Sequence, residues 1–238
     1  MDVVFLMDSS KDVDFINFIK EKAYVKLLAK RLNVSPGKSR AAVVVYGSSS
    51  QLRIDFDAYD SLSAYETAVD GISYIGGTRR IDKALETAAV VLKKARTSIP
   101  KMVVLLTTGQ QPLDAPSLAS SAGALHLLGA MVYVISISNN LDPKYFGNLV
   151  EEISHVSQVS TFDLLNNTLP QVIRRIEDGE SIKCNYNAAH ATLTKSHRIL
   201  GIYCNKNCGF GSQKNYRNLG IEFHRNCSFG FLPYIELL

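Results

Sequence analysis

The sequence predicts a doubly wound α/β fold: a mainly parallel central sheet, helices on both faces and one antiparallel edge strand. Three observations carry this. Val3-Val4-Phe5-Leu6-Met7 and Met102–Leu106 are short runs apolar throughout, and Met131–Ile137 is apolar but for Ser136, as strands buried on both faces of a parallel sheet are. Stretches with helical periodicity lie between them, and the loops that join the two kinds of segment are short. Strands alternating with 10–15-residue helices in this way build crossover units and hence a parallel sheet.

Each element follows in order. After the first strand, a helical stretch carries Ile16, Ile19, Ala23 and Leu27 on one stripe, read as its buried face, and stops before Ser35-Pro36-Gly37. Ala41–Tyr46 reads as the second strand. Leu52-Arg53-Ile54-Asp55-Phe56 alternates apolar and charged residues, as a half-exposed edge strand does, and the Gly47–Ser50 link is short enough for a hairpin. Ser61–Ile72 is a short helix closed by the Gly76-Gly77 break. Ile81, Leu85, Ala88 and Leu92 line one face of the next helix, which ends before Pro100. Ala115–Leu128 is helical with Gly129 as its stop, Leu149–Ile153 reads as a further short helix, and Val156–Phe162 as a weak last strand. Thr168-Leu169-Pro170 opens a helix running to about Asp178, with Pro in the first turn where its missing N–H costs nothing.

Composition bounds the function. The chain has 238 residues, 46% hydrophobic and 20% charged, which is too apolar and too balanced for a disordered protein. Its formal net charge of +4 is too small to suggest a nucleic-acid partner, and it is uneven: residues 181–238 carry seven Lys/Arg against two Asp/Glu. No window approaches the roughly 18 apolar residues of a spanning helix, so no membrane span is expected. Met1 leads straight into a strand with no basic region or cleavage site, which reads as a cytosolic start or a piece of a longer chain. The length suits one domain with an appendage, divided here as residues 1–180 and a tail of 181–238.

In such sheets the site lies outside the carboxyl ends of the parallel strands. The residues there are Asp8-Ser9-Ser10-Lys11-Asp12, Gly76-Gly77-Thr78-Arg79-Arg80, Thr107-Thr108-Gly109 and Ser136-Ile137-Ser138. A carboxylate and hydroxyls at one strand mouth suit a hard divalent cation, which takes oxygen ligands.

At these residues the chain resembles a von Willebrand factor type A domain. The resemblance covers residues 2–180. It rests on the strand ending in Asp8-Ser9-Ser10, the Tyr74–Gly77 segment with Ala84-Leu85, the Val103–Gly109 strand and turn, the Val132–Ile137 strand, and Asp142-Pro143. The modules of type VI collagen chains are the relatives it suggests. The family's metal-ion-dependent adhesion site takes Asp-x-Ser-x-Ser, a Thr after the second loop and an Asp in the third. Here Asp8 and Ser10 match, Asp12 replaces the second Ser, Thr108 replaces the Asp, and the Thr falls on Arg79, or on Thr78 if the loop slips by one.

The resemblance implies a non-enzymatic module of extracellular-matrix type, mediating adhesion or matrix assembly. Its partners would be collagen or other matrix proteins, met on a top face of Asp8, Ser10, Asp12, Thr78, Arg79, Arg80 and Thr108. It implies secretion into the extracellular matrix within a longer chain; a true start at Met1 implies the cytoplasm and an intracellular interaction protein of the same fold. No cofactor is expected. Asp8 and Ser10 are read as a vestigial metal site, with weak Mg²⁺ binding left open, because Arg79 or Arg80 is placed to neutralise Asp8 and to offer its fork to a partner's carboxylate.

An enzyme reading finds little. Phosphoryl transfer needs further carboxylates for Mg²⁺ and a Lys for the phosphate, and Asp8-x-Ser10 lacks the second acid. No Gly-x-x-x-x-Gly-Lys, Gly-x-Ser-x-Gly or His-Glu-x-x-His motif occurs, and His126 and His155 have no acid or nucleophile that sequence places beside them. Lys93-Lys94 with Arg96, and Arg174-Arg175, read as solvated helix ends, with acidic glycans as a further use. Asn33, Asn166 and Asn226 begin glycosylation sequons, relevant to a secreted chain. The tail's Cys184, Cys204, Cys208 and Cys227 leave three readings open: four soft zinc ligands with His224, two disulfides, or a poorly ordered appendage.

Overall fold

A computed structural model describes residues 1–176, which form one compact unit. The expectations for the tail, including its cysteines, its sequon at Asn226 and the boundary at 180, lie outside the described residues.

The chain order is β1 (Asp2–Asp8), α1 (Asp14–Arg31), β2 (Arg40–Tyr46), β3 (Ser50–Ile54), α2 (Leu62–Asp70), α3 (Ile81–Leu92), β4 (Lys101–Thr107), α4 (Leu118–Leu127), β5 (Ala130–Ile137), β6 (Val156–Val159) and α5 (169–176). Two short 3₁₀ segments, Pro143–Phe146 and Ile153–His155, lie between β5 and β6, and a longer one, Phe162–Thr168, joins β6 to α5. The sheet runs β3-β2-β1-β4-β5-β6, parallel throughout except for the β2–β3 hairpin. The predicted fold class and its one antiparallel edge strand are therefore what is observed.

Every residue of β1 is buried, because the strand lies mid-sheet with a helical layer on each side. Alternate side chains serve different cores. Val3, Phe5 and Met7 pack with α1, α2 and α5, while Val4 and Leu6 pack with α3 and α4. No helix among the described residues is long and apolar enough to cross a membrane.

Several local readings are corrected. α1 turns Phe18, Glu21, Tyr24, Val25, Leu28 and Ala29 inward, so the stripe of Ile16, Ile19, Ala23 and Leu27 is not the core face. Ile16 is 63% exposed. Both stripes have helical spacing, and the larger rings of Phe18 and Tyr24 took the interior. Leu149 and Val150 are buried in a turn between two 3₁₀ segments and not in a helix. α4 begins at Leu118 and not Ala115, where Ser117 caps it by accepting from the Ala119 N–H. β6 is only four residues long, and residues 162–168 wind as 3₁₀ before α5 begins.

At the amino ends of the strands, Asp2 is fully buried and accepts hydrogen bonds from two arginines: Arg40 Nε at 3.0 Å and Nη2 at 2.6 Å, and Arg96 Nε at 3.0 Å and Nη2 at 2.6 Å. The Arg96 backbone N–H adds a contact of 2.8 Å. Arg40 also pairs with Asp57 and lies 4.9 Å over the Phe56 ring. Arg96 is thus part of a buried lock and not a solvated helix end. Lys94, next to it in sequence, pairs with Asp55.

Candidate functional site

At the carboxyl ends of β1 and β4, three loops converge. The first leaves β1 at Asp8, and Ser9 N–H donates to the Tyr46 carbonyl of β2 at 2.7 Å. The second, residues 71–80, doubles back at Gly76 and Gly77, whose φ values of +68° and +90° suit glycine. A Cβ on Gly77 would stand 2.3 Å from Ser48 Oγ, so only glycine allows this loop to close on the β2–β3 hairpin. Its position is then fixed by Lys11 N–H to the Gly77 carbonyl at 2.8 Å, and by the Tyr74 hydroxyl to the Ser10 carbonyl at 2.9 Å.

Arg79 is the centre of this arrangement. Its Nε donates to Asp8 Oδ2 at 2.9 Å, its Nη2 to Asp12 Oδ2 at 2.9 Å and to Thr108 Oγ1, and its Nη1 to the Gln110 carbonyl at 2.9 Å. Asp8 is fully buried and also accepts from the Ser10 N–H at 2.9 Å and from the Thr108 N–H and hydroxyl, each at 3.2 Å. Gly109 leaves room for the guanidinium: a Cβ there would lie 2.8 Å from Nη1. Burial alone would lower the Arg79 pKa, but the charge of Asp8 and its hydrogen bond outweigh that and hold it above the ordinary value.

So the structure brings Asp8, Ser10, Asp12, Arg79 and Thr108 together and leaves two of the expected residues apart. Arg80 turns to Asp82, donating from Nε at 2.8 Å, and steadies the start of α3. Thr78 is exposed on the rim, its N–H donating to Ser48 Oγ at 2.8 Å. The fork of Arg79 is also not free to read a partner: its side chain is 8% exposed and its donors are engaged by the three loops. What faces outward is the rim of Lys11, Asp12, Thr78 and Gln110, with Thr108 half-buried among them.

Sequence reasoning missed Glu21. It sits on the core face of α1, fully buried, and neither carboxyl oxygen has a hydrogen-bond partner among the described residues. Burial first, and then the negative charge of Asp8, push its pKa well above the usual carboxylate range. The available signal was its spacing of three from Phe18, four from Val25 and seven from Leu28, which places an acid in an apolar stripe. A raised folded-state pKa makes stability fall as pH rises above 4.5, the value of an unperturbed Glu. Glu21→Met should therefore stabilise the protein by about 1–3 kcal/mol at neutral pH. Urea midpoints at pH 4.5 and 7.5 test this, and an equal gain at both would show that the proton is not involved.

The two histidines among the described residues have structural contacts. His126 Nε2 lies 3.2 Å from the Leu149 carbonyl, and His155 is buried beside the Tyr133 ring, where desolvation lowers its pKa.

Comparison with known proteins bears on the whole unit. The family described as von Willebrand factor type A domain matches residues 2–171. The chain is 32% identical over 141 residues to von Willebrand factor A domain-containing protein 2 of Mus musculus, covering 58% of this chain and 17% of that protein. It is 26% identical over 185 residues to the collagen alpha-4(VI) chain of Mus musculus, covering 76% and 8%. The chain thus spans a small part of the relatives it matches. Among solved structures, proximal thread matrix protein 1 from the mussel byssus, described with a zinc-occupied MIDAS motif, superposes with a TM-score of 0.67 at 24% identity. That match covers 74% of this chain and 45% of the other.

Proposed function

This chain belongs to the von Willebrand factor type A domain family, and on that premise we propose that it is a non-enzymatic, extracellular protein-binding module whose top face works without a metal ion. The observation that carries this reading is the place of Arg79. Its guanidinium occupies Asp8 Oδ2 and also holds Asp12 and Thr108, the oxygen groups a cation at this point would draw on. A divalent ion entering there would meet repulsion of about 1–4 kcal/mol per unit of its charge at close range. The third loop sets the neutral Thr108, and not an acid, against Asp8 to offset that. The donor set and the occupant do not fit a resident cation.

The arginine then does for the loops what a cation would do: it draws two carboxylates and a hydroxyl to one point and sets the rim. Partner contact falls to Lys11, Asp12, Thr78, Thr108 and Gln110, with Asp8, Ser10 and Arg79 as the support beneath. Collagens or other matrix proteins are the partner class, supported by the collagen VI relative. Immobilised type VI and fibrillar collagens provide the test. Binding should be unchanged by a chelator and weakened by Thr78→Glu, and titrating Mg²⁺ into the free protein should release no heat. Micromolar Mg²⁺ affinity, or binding lost on chelation, would overturn the cation-independent reading; absence of binding to every collagen would remove collagens from the partner class.

A further inference from the structure

Of the glycosylation sequons, the two among the described residues stand in opposite settings. Asn33 ends α1 with φ +55°, a left-handed position that asparagine fills more readily than most residues, so the fold accounts for it. Pro36 follows its hydroxyl residue, Ser35, directly and holds Ser35 to extended backbone. Asn166-Asn167-Thr168 differs on each point. Asn166 lies in ordinary backbone within the 3₁₀ segment Phe162–Thr168, is exposed, and makes no side-chain hydrogen bond among the described residues. Leu169, and not a proline, follows its hydroxyl residue. Thr168 itself is sealed, at 3% exposure. Its one hydroxyl proton goes to the Leu165 carbonyl at 2.7 Å, so its oxygen accepts from the Tyr24 hydroxyl of α1 at 2.6 Å.

We propose that Asn166 carries an N-linked glycan, attached before residues 162–168 settle on α1. This rests on the extracellular reading above. The donor is a lipid-diphosphate-linked oligosaccharide of the secretory compartment, and the transferase there reads the hydroxyl two residues after the asparagine. Asn166 Nδ2 bonds to the anomeric carbon of the first sugar, and the bond from that carbon to the phosphate oxygen breaks. The lipid diphosphate leaves, and one amide proton passes to a base of the transferase. Asn166 is exposed and has room for the product. Thr168 sets the timing, because its hydroxyl is free only while the segment is unfolded. Tyr24 lies 144 residues before it, so the helix that seals Thr168 is already made when the sequon emerges. Glycan addition therefore competes with the docking of Leu165 and Thr168 on α1, and the folded protein is closed to it.

The full chain, secreted from cultured animal cells behind an added signal sequence, provides the test. Peptide N-glycosidase turns each glycan-bearing asparagine into aspartate, which peptide mass spectrometry reads residue by residue. Conversion at Asn166 and none at Asn33 is expected, and Asn166→Gln should lose one glycan on a gel while leaving the bonds of Thr168 intact. An unconverted Asn166 would overturn the proposal, whatever Asn33 shows. Because the signal is supplied, that outcome would leave the extracellular reading standing; that reading fails instead if the natural protein is found only inside cells. For the timing, bacterially made full chain, folded and unglycosylated, is offered to purified transferase with its lipid-linked donor. A peptide of residues 160–172 should be modified at least about tenfold faster than the folded chain. Equal rates would overturn the order of events.

Discussion

Replacing Arg79 by Ala should lower folding stability by about 3–5 kcal/mol, read from urea unfolding. Asp8 is fully buried, and Arg79 is its counter-charge. Removing the arginine leaves a desolvated carboxylate with only the Ser10 and Thr108 donors. The same change clears the space between Asp8, Ser10, Asp12 and Thr108, so the variant should gain what the parent lacks: a rise in melting temperature on adding Mg²⁺. Arg79→Lys should fall between the two, because an ammonium supplies charge but cannot span two carboxylates and two loops as a planar fork does. A loss below about 1 kcal/mol, the range of ordinary surface changes, would mean that Asp8 does not depend on this partner.

Asp2→Ala should cost a similar amount, about 3–5 kcal/mol, at the opposite end of the sheet. It would leave Arg40 and Arg96 turned toward an empty position, with the Arg96 N–H unpaired as well. Burial by itself would raise the Asp2 pKa, but hydrogen bonds from the two arginines bring it down to about 2 from 3.8. A depressed carboxylate stabilises fully above the unfolded value and loses that contribution as pH falls through the folded one. The parent should therefore lose about 2 kcal/mol between roughly pH 4 and pH 2, and Asp2→Ala should show no such step from this site. Asp2→Asn keeps an acceptor without the charge, so its distance from Asp2→Ala separates geometry from electrostatics. An unchanged acid limb in Asp2→Ala would refute the assignment.

Periodicity and apolar runs showed the sheet because a strand covered on both faces keeps its polar residues near its ends, as β1, β4 and β5 illustrate. They misled on α1, where two faces are apolar and the choice between them is made by tertiary packing. Leu149–Ile153 reads as a helix because buried turns and short helices share composition, and the structure makes it a turn that runs into a 3₁₀ segment. For the site, the motif spacing located all three loops, and charge counting placed an arginine on Asp8. Choosing Arg79 over Arg80 took the loop's backbone path, which sequence does not display. The Asp2 lock was invisible for a different reason: Arg96 lies 94 residues from Asp2, and nothing local marks the pair.

The central position of β1 also shapes how the molecule is made. The first strand of the chain pairs with β2 on one side and with β4 on the other, Asp2 opposite Lys101. On a ribosome, β1 emerges before β4 and keeps one unpaired edge until about a hundred further residues have followed. That edge presents unpaired backbone groups beside the apolar side chains of Val3–Met7, so during synthesis it is a site for association with other nascent chains or for a chaperone. Sheets closed by such distant pairings fold slowly, because loop closure precedes the contacts that reward it. The strand that anchors both ends of the finished protein is thus its most exposed liability while it is being built.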